Sequence, residues 1–277
     1  MSSPLLSINN LKITNNSTNN NLLVENVDLT ISAGEIVGLI GESGSGKSLT
    51  ARSIMGLLAA NITASGEVSF LDKNLLSISK KEHRKLLGNE IGMIFQDYRG
   101  SFTPFIKIGK QMVETIRTHQ PVTKKEAKTS ALSVLDEMGL EAERIYKSYS
   151  FQLSGGQVQR ASIALALALK PSLLICDEIT TALDVMNGEK VLHYIDKVRR
   201  NTGCGVLMIT HDLAQAYKWT DRMYVMQQGT IVEEGLPEQI RCHHKHPYTK
   251  KLCSCLLSLP VDSRVKLERV GPYEFNN

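Results

Sequence analysis

The sequence predicts an α/β fold whose strand–helix alternation is broken by one helical insertion. Three observations predict it. Short apolar strands alternate with helical patterns at both ends of the chain, a glycine-rich turn joins one such strand to a helix, and from Ile106 to Leu169 strand signals vanish. The 277 residues are 42% hydrophobic and 22% charged, a globular composition with enough chain for a substantial core. A net charge of +4 with no long basic run gives no electrostatic case for nucleic acid. The longest apolar run, Ala161 to Leu169, is stopped by Lys170-Pro171, well short of the roughly 20 residues of a membrane span. The N-terminus shows no basic region followed by an apolar core, so no secretory leader is predicted. Five cysteines without a CxxC pair predict reduced thiols in the cytoplasm.

In chain order, Leu5–Thr14 and Leu22–Ile31 predict strands around an Asn-rich loop tip, Asn15–Asn21. Glu35–Ile40 is an almost continuously apolar strand that leads through a Gly/Ser turn into a helix, Leu49–Leu58. Gly66–Leu71 and Glu90–Phe95 predict strands, with a basic helix, Lys80–Leu87, between them. Lys124–Met138 carries apolar residues at helical spacing, and Gly139 predicts its stop. Beyond Pro171 the alternation returns: strand Leu173–Cys176, helix Val185–Arg200, strand Gly205–Thr210 and helix Leu213–Trp219. A hairpin, Met223–Gln227 with Thr230–Glu233, turns at Gln228-Gly229.

Three motifs carry chemistry. Gly41-Glu42-Ser43-Gly44-Ser45-Gly46-Lys47-Ser48, with Leu49 opening the helix, matches Gly-x4-Gly-Lys-Ser, the phosphate-binding loop. Glycines let backbone N–H groups turn inward around phosphate oxygens, and the helix adds its positive N-terminal end. Lys47 can bridge the β- and γ-phosphates, and the Ser48 hydroxyl can ligate Mg²⁺. Leu173-Leu-Ile-Cys-Asp177-Glu178 is an apolar strand ending in two carboxylates: Asp177 to hold the metal, Glu178 to polarise an attacking water. Leu153-Ser154-Gly155-Gly156-Gln157 precedes the helix Val158–Leu169 and forms a second anion-binding helix start, with Ser154 as N-cap. One chain with two phosphate sites of different construction binds either two nucleotides or one nucleotide between two chains.

These motifs resemble those of the ATP-binding-cassette (ABC) ATPases, in which Leu-Ser-Gly-Gly-Gln closes onto ATP held by the partner subunit's phosphate loop. Further motifs follow in the family's order: Gln96 after its strand, Ala182-Leu183-Asp184, and His211 at the end of strand Val206–Thr210. The resemblance covers about residues 4–260. It implies a RecA-like core sheet with an N-terminal antiparallel β-subdomain and an α-helical subdomain inserted at about 99–161. The cassette would span 1–240 and a short extension 241–277. It implies ATP and Mg²⁺ as cofactors, with Ser48, Gln96 and Asp177 at the metal. Glu178 would be the general base, His211 the γ-phosphate contact, Gln96 the link to a membrane partner, and Asp184 part of the ATP interface.

The tail is similar to that of the dipeptide/oligopeptide/nickel importer ATPases, through Leu236-Pro-Glu-Gln-Ile and His246-Pro247-Tyr248-Thr249-Lys250-Lys251-Leu252. That resemblance implies pairing with a paralogous ATPase subunit or a second copy of the chain. It also implies two transmembrane permease subunits, indirectly an extracellular solute-binding protein, and a place on the cytoplasmic face of the membrane. The solute, a peptide, nickel or a metal–chelator complex, is chosen by those other chains. Three departures stand out. Ile179 replaces the usual proline after the base, predicting a looser hold on Glu178. Tyr98-Arg-Gly-Ser-Phe-Thr-Pro104 replaces the usual permease-facing sequence, predicting a distinct partner surface. The chain also ends without a cysteine-rich iron–sulfur tail.

Cys242-His-His-Lys-His246 with Cys253-Ser-Cys255 offers soft ligands for nickel or zinc. His246, however, belongs to the His-Pro-Tyr-Thr element, and thiols two residues apart on a helix point about 200° apart. The reading there is no metal. ABC-type ATPases of DNA or ribosomes are a competing class, but they need long coiled coils or two cassettes. Here Ser154 lies only 107 positions after Lys47, with no heptads between them.

Related ATPases stack an aromatic residue, upstream of the phosphate loop, on the adenine ring. This chain has no Phe, Tyr, Trp or His before Phe70, and Ile13–Leu23 is mostly Asn, Ser and Thr. Base–aromatic stacking contributes roughly 1–3 kcal/mol, so its absence predicts weak ATP affinity and GTP affinity within about tenfold of it. Direct titration checks this, and a preference for ATP of about a hundredfold or more would contradict it.

Overall fold

The strands are set by where apolar side chains fall. The computed structural model of the chain describes residues 3–17, 21–181 and 183–257. Residues 18–20 of the predicted loop tip, Ala182 and the tail 258–277 of the predicted extension lie outside them. In β1 (Leu6–Asn15) the buried residues are Leu6, Ile8, Leu11 and Ile13. The period of two slips once, between Ile8 and Leu11, where the register with both neighbours shifts in a bulge. β2 (Asn21–Ile31) buries Val24, Val27, Leu29 and Ile31. With β4 (Ile62–Phe70) and β5 (Lys73–Asn74) these strands form an antiparallel sheet of order β2-β1-β4-β5.

The second sheet has the order β10-β9-β3-β8-β7-β6. It contains β3 (Ile36–Ile40), β6 (Ile91–Ile94), β7 (Leu173–Asp177), β8 (Gly205–Thr210), β9 (Arg222–Gln227) and β10 (Thr230–Gly235). All neighbours run parallel except the β9–β10 hairpin. Its central strands are buried on both faces, as covered parallel strands must be, and so show no polar alternation. Val37, Leu39, Leu173, Ile175, Leu207 and Ile209 face the antiparallel sheet and α1 (Lys47–Ile54). Ile36, Leu174, Cys176, Val206 and Met208 face the opposite core.

That opposite core is helical. After α2 (Lys80–Leu86), the chain forms α3 (Ile108–His119), α4 (Lys124–Glu137), α5 (Ala142–Lys147) and α6 (Gly155–Ala168). Their apolar faces close together with α7 (Val185–Thr202) through Met112, Ile116, Leu135, Ile145, Ile163, Leu167 and Val191. Gly139 ends α4 in the left-handed region at φ 65°, as its sequence position predicts. α8 (Leu213–Trp219), α9 (Pro237–Cys242) and α10 (Pro247–Leu257) pack on the β9–β10 end around Ile40, Met223, Val225, Ile240 and Tyr248. The structure is thus an α/β fold of two sheets with a helical layer between β6 and β7. No helix among the described residues is long and apolar enough to cross a membrane.

Some boundaries move. The helix predicted from Val158 starts at Gly155, because Ser154 and Gln157 cap each other and offset the poor helix propensity of two glycines. The strand predicted from Gly66 starts at Ile62, where pairing with Asn15 continues past the bulge. The helix predicted to end at Leu58 ends at Ile54. Tyr98 and Phe102, predicted to lie on a partner-facing surface, are buried in the helical core. The large apolar residues left exposed close by in sequence are Phe95 and Phe105.

Candidate functional site

The register of three parallel strands assembles the site. Ile40 pairs with Thr210, and Ile209 with Asp177. The residues that follow, Gly41, His211 and Glu178, therefore leave the sheet at one edge, the carboxyl end where α/β sheets bind ligands. Gly41 must be glycine, since a Cβ there would lie 2.1 Å from the carbonyl oxygen of Met226 in β9. Gly46 is the N-cap of α1 with no side-chain cap. The amides of Lys47, Ser48 and Leu49 thus open the helix without intrahelical acceptors, and no acidic side chain occupies the first turn. The Ser45 hydroxyl is buried without a hydrogen-bond partner. Glycine-lined backbone, unpaired amides and an orphan hydroxyl are a fitting cradle for phosphate oxygens.

Lys47 is buried, and its Nζ donates to the carbonyl oxygens of Gly41 and Glu42, both at 2.8 Å. Burial lowers the pKa of its ammonium, against the opposing pull of the Glu178 and Asp177 carboxylates. Ser48 Oγ donates to Asp177 Oδ1 at 3.0 Å, tying the start of α1 to the end of β7. Burial raises the Asp177 pKa, with the neighbouring Glu178 charge adding to it; Ser48, Arg52 and Lys47 oppose the shift. A hydroxyl and a buried, desolvated carboxylate side by side form a hard, all-oxygen donor set suited to a divalent cation.

Glu178 has φ 50°, a left-handed conformation rare outside glycine, at the turn where the carboxylate leaves β7. Gln96 Nε2 donates to Glu178 Oε2 at 2.9 Å, which leaves the Gln96 amide oxygen for another ligand. His211 Nδ1 lies 3.3 Å from Glu178 Oε1. The histidine side chain is 56% exposed and the glutamate 13%, so the carboxylate is largely enclosed while its partner faces solvent. With isoleucine at 179, the turn makes three hydrogen bonds. Glu178 N–H donates to the Ile209 carbonyl, Thr181 Oγ1 donates to the Glu178 carbonyl, and Gln159 Nε2 donates to the Ile179 carbonyl.

The structure therefore joins Lys47, Ser48, Asp177, Glu178, Gln96 and His211 in one cluster. It does not bond Ser154, Gly155, Gly156, Gln157 or Asp184 to that cluster among the described residues. Ser154 Oγ accepts from Gln157 N, Ser154 N donates to Gln157 Oε1, and the helix start they cap is exposed. A Cβ at Gly155 would fall 2.6 Å from the Tyr98 hydroxyl, so that helix start is packed tightly from behind. Asp184 caps α7 through Asn187, whose hydrogen bonds lower the carboxyl pKa. Glu42, Ser43 and Gly44 complete the loop; Glu42 N–H donates to the Tyr248 hydroxyl.

Two residues escape a reading of the sequence. Gln159 is a polar side chain on the buried face of α6, and that mismatch is its one local signal. Tyr248 reaches the loop across more than two hundred residues, and nothing local marks the contact. In the C-terminal region, no group of three or more His, Cys, Asp or Glu side chains among the described residues is placed to hold a metal ion. Cys253 is buried 3.1 Å from the Tyr217 hydroxyl instead.

Comparison with known proteins gives the same direction. Residues 24–181, more than half the chain, match the family model described as ABC transporter. The Staphylococcus aureus metal-staphylopine import system ATP-binding protein CntD is 41% identical over 251 residues, covering 90% of this chain and 92% of its own. The probable D,D-dipeptide transport ATP-binding protein DdpD of Escherichia coli is 40% identical, covering 92% and 79%. Among solved structures, the dimeric post-hydrolysis state of the ATP-binding cassette MJ0796 bound to ADP and Pi aligns with TM-score 0.76 at 29% identity. It covers 84% of this chain and 98% of its own.

Substituting Lys47→Ala removes the cation that organises the loop, and nucleotide affinity is expected to fall by at least roughly tenfold. Equilibrium titration with a fluorescent nucleotide checks this, with circular dichroism confirming the fold. Unchanged affinity would remove Lys47 from the binding site.

Proposed function

Because the chain belongs to the ABC transporter family, we propose that it is the ATP-hydrolysing subunit of a membrane importer of the peptide/nickel class. The observation that carries this reading is the Gln96–Glu178–His211 contact set beside the Ser48–Asp177 pair. The relatives described above serve import of a metal–staphylopine complex and transport of a dipeptide, at nearly equal identity to this chain.

In this reading ATP lies along the start of α1. The amides of Lys47, Ser48 and Leu49, the Ser45 hydroxyl and the Lys47 ammonium bind its phosphate oxygens. Ser48, Asp177 and the free oxygen of Gln96 would hold Mg²⁺, whose charge neutralises the phosphates when bound. The Glu178 carboxylate takes a proton from the attacking water as its oxygen bonds to the γ-phosphorus. The bond to the β–γ bridging oxygen breaks, leaving ADP and phosphate. Gln96 and His211 hold the two carboxylate oxygens of Glu178, so the base is aimed before the water arrives. His211, with an exposed side chain, is available to the γ-phosphate.

The exposed start of α6 completes the site of a second chain, a paralogous subunit or another copy. Its capped N-terminus with Ser154, Gly155 and Gly156 offers amides and positive potential to a γ-phosphate that this chain's own loop leaves open on one side. Asp184 and the exposed Val185 and Met186 extend the same partner surface. Next to Gln96, a groove of about 480 Å³ lined by Met93, Phe95, Leu165, Ala166 and Leu169 suits an apolar segment of a permease subunit. A permease there, at the cytoplasmic face of the membrane, is one residue away from a side chain that touches the catalytic base. We place the cassette at 1–240, with its helical subdomain at about 99–161 and the extension beyond 241.

Replacing Glu178 with glutamine keeps shape and hydrogen bonding but deletes the basic carboxylate. The variant is expected to bind ATP normally while hydrolysis in the assembled transporter falls on the order of a hundredfold or more. Hydrolysis near the unmodified rate would remove Glu178 from the role of base.

A further inference from the structure

The His-Pro-Tyr-Thr element at 246–249 has no part in the chemistry above, yet the structure places it against the phosphate loop. α10 is anchored before it begins. The Glu233 carboxylate on β10 accepts the backbone amides of Lys245 at 2.7 Å and His246 at 3.1 Å, and His246 Nδ1 accepts the amide of Tyr248 at 3.2 Å. The Tyr248 ring is buried among Ile40, Leu213, Met223, Val225 and Ile240. Its hydroxyl emerges at the loop and accepts the Glu42 N–H at 2.9 Å.

That N–H belongs to the same peptide unit as the Gly41 carbonyl, whose oxygen accepts from Lys47 Nζ at 2.8 Å. In a planar trans peptide the two groups point in opposite directions. The Tyr248 hydroxyl therefore holds the outer end of the plane whose inner end holds the lysine. Gly41, with no Cβ, leaves that plane free to rotate unless something fixes it. We propose that Tyr248 is a positioning residue for nucleotide binding: it locks the Gly41–Glu42 peptide so that its carbonyl sets Lys47 for the phosphates. The C-terminal element is in this account a clasp on the phosphate loop, and the effect on affinity rests on the nucleotide reading given above.

The test is Tyr248→Phe in the full chain, which removes one oxygen and keeps the ring in its apolar pocket. ATP affinity of the folded variant is expected to weaken roughly three- to tenfold, the range of one net hydrogen bond. KM for ATP should rise by a similar factor, while kcat in the assembled transporter stays within about twofold. Amide hydrogen exchange at Glu42 should accelerate while the amides of β3 keep their protection. A merely structural role would lower the melting temperature and leave affinity and Glu42 exchange, both read on folded protein, unchanged; that result overturns the proposal. If the variant does not fold, the unmodified, nucleotide-free chain still decides. A protected Glu42 amide supports the clasp, and a freely exchanging one overturns it. An unmodified chain that binds no ATP, with Glu42 protected, would refute the nucleotide reading and leave the clasp standing.

Discussion

Everything at the site depends on the parallel register of β3, β8 and β7. Three strands that start their turns at one level of the sheet deliver a phosphate loop, a histidine and two carboxylates to a single edge. A slip of one residue in β7 would send Asp177 to the opposite face, since side chains alternate along a strand. The register is held by burial on both sides: Leu173 and Ile175 lie in one core, Leu174 and Cys176 in the other. The two packed cores thus fix where the residues at the carboxyl end of the sheet emerge.

Charge explains why the site is built from pairs. Asp177 and Lys47 are both buried, and each shifts toward its neutral form through lost solvation. Each is kept by directed hydrogen bonds, Asp177 by Ser48 and Lys47 by two carbonyls. Such groups are poised for a ligand of high charge density, because a triphosphate and a divalent cation restore the interactions that burial removed. Glu178 is held through both carboxylate oxygens, by Gln96 Nε2 at 2.9 Å and with His211 Nδ1 at 3.3 Å. The left-handed turn at Glu178 stores strain where the carboxylate leaves β7, and the hydrogen bonds from Gln159, Thr181 and Glu178's own amide hold it there.

The parts of the site legible in the sequence were those whose chemistry is local. Gly41–Ser48, Asp177-Glu178, Gln96 and His211 each follow an apolar strand, and their order along the chain identified their family before their geometry was known. The illegible parts are long-range. Tyr98 and Phe102 read as surface because loop sequence carries no sign of the helical core that covers them. Gln159 shows only as a polar residue on a buried helix face, and Tyr248 acts on a backbone amide 206 residues away, which no local pattern encodes. Helix starts were misplaced where glycine lowers propensity and capping restores it, as at Gly155. At Ile179, where proline is the family's usual residue, the turn is hydrogen-bonded through Gln159, Thr181 and the Glu178 amide.

The central claim is that the cluster around Glu178 is half of a catalytic site, completed by the Ser154–Gln157 helix start of another chain. The most direct measurement is the ATP hydrolysis rate per chain across a wide range of chain concentration, alone and with the partner ATPase and permease subunits. The account predicts a rate that rises with concentration, rises again on assembly, and is lost when Ser154→Arg is introduced into the chain facing an intact phosphate loop. A full, concentration-independent rate from a chain shown to be monomeric would contradict it.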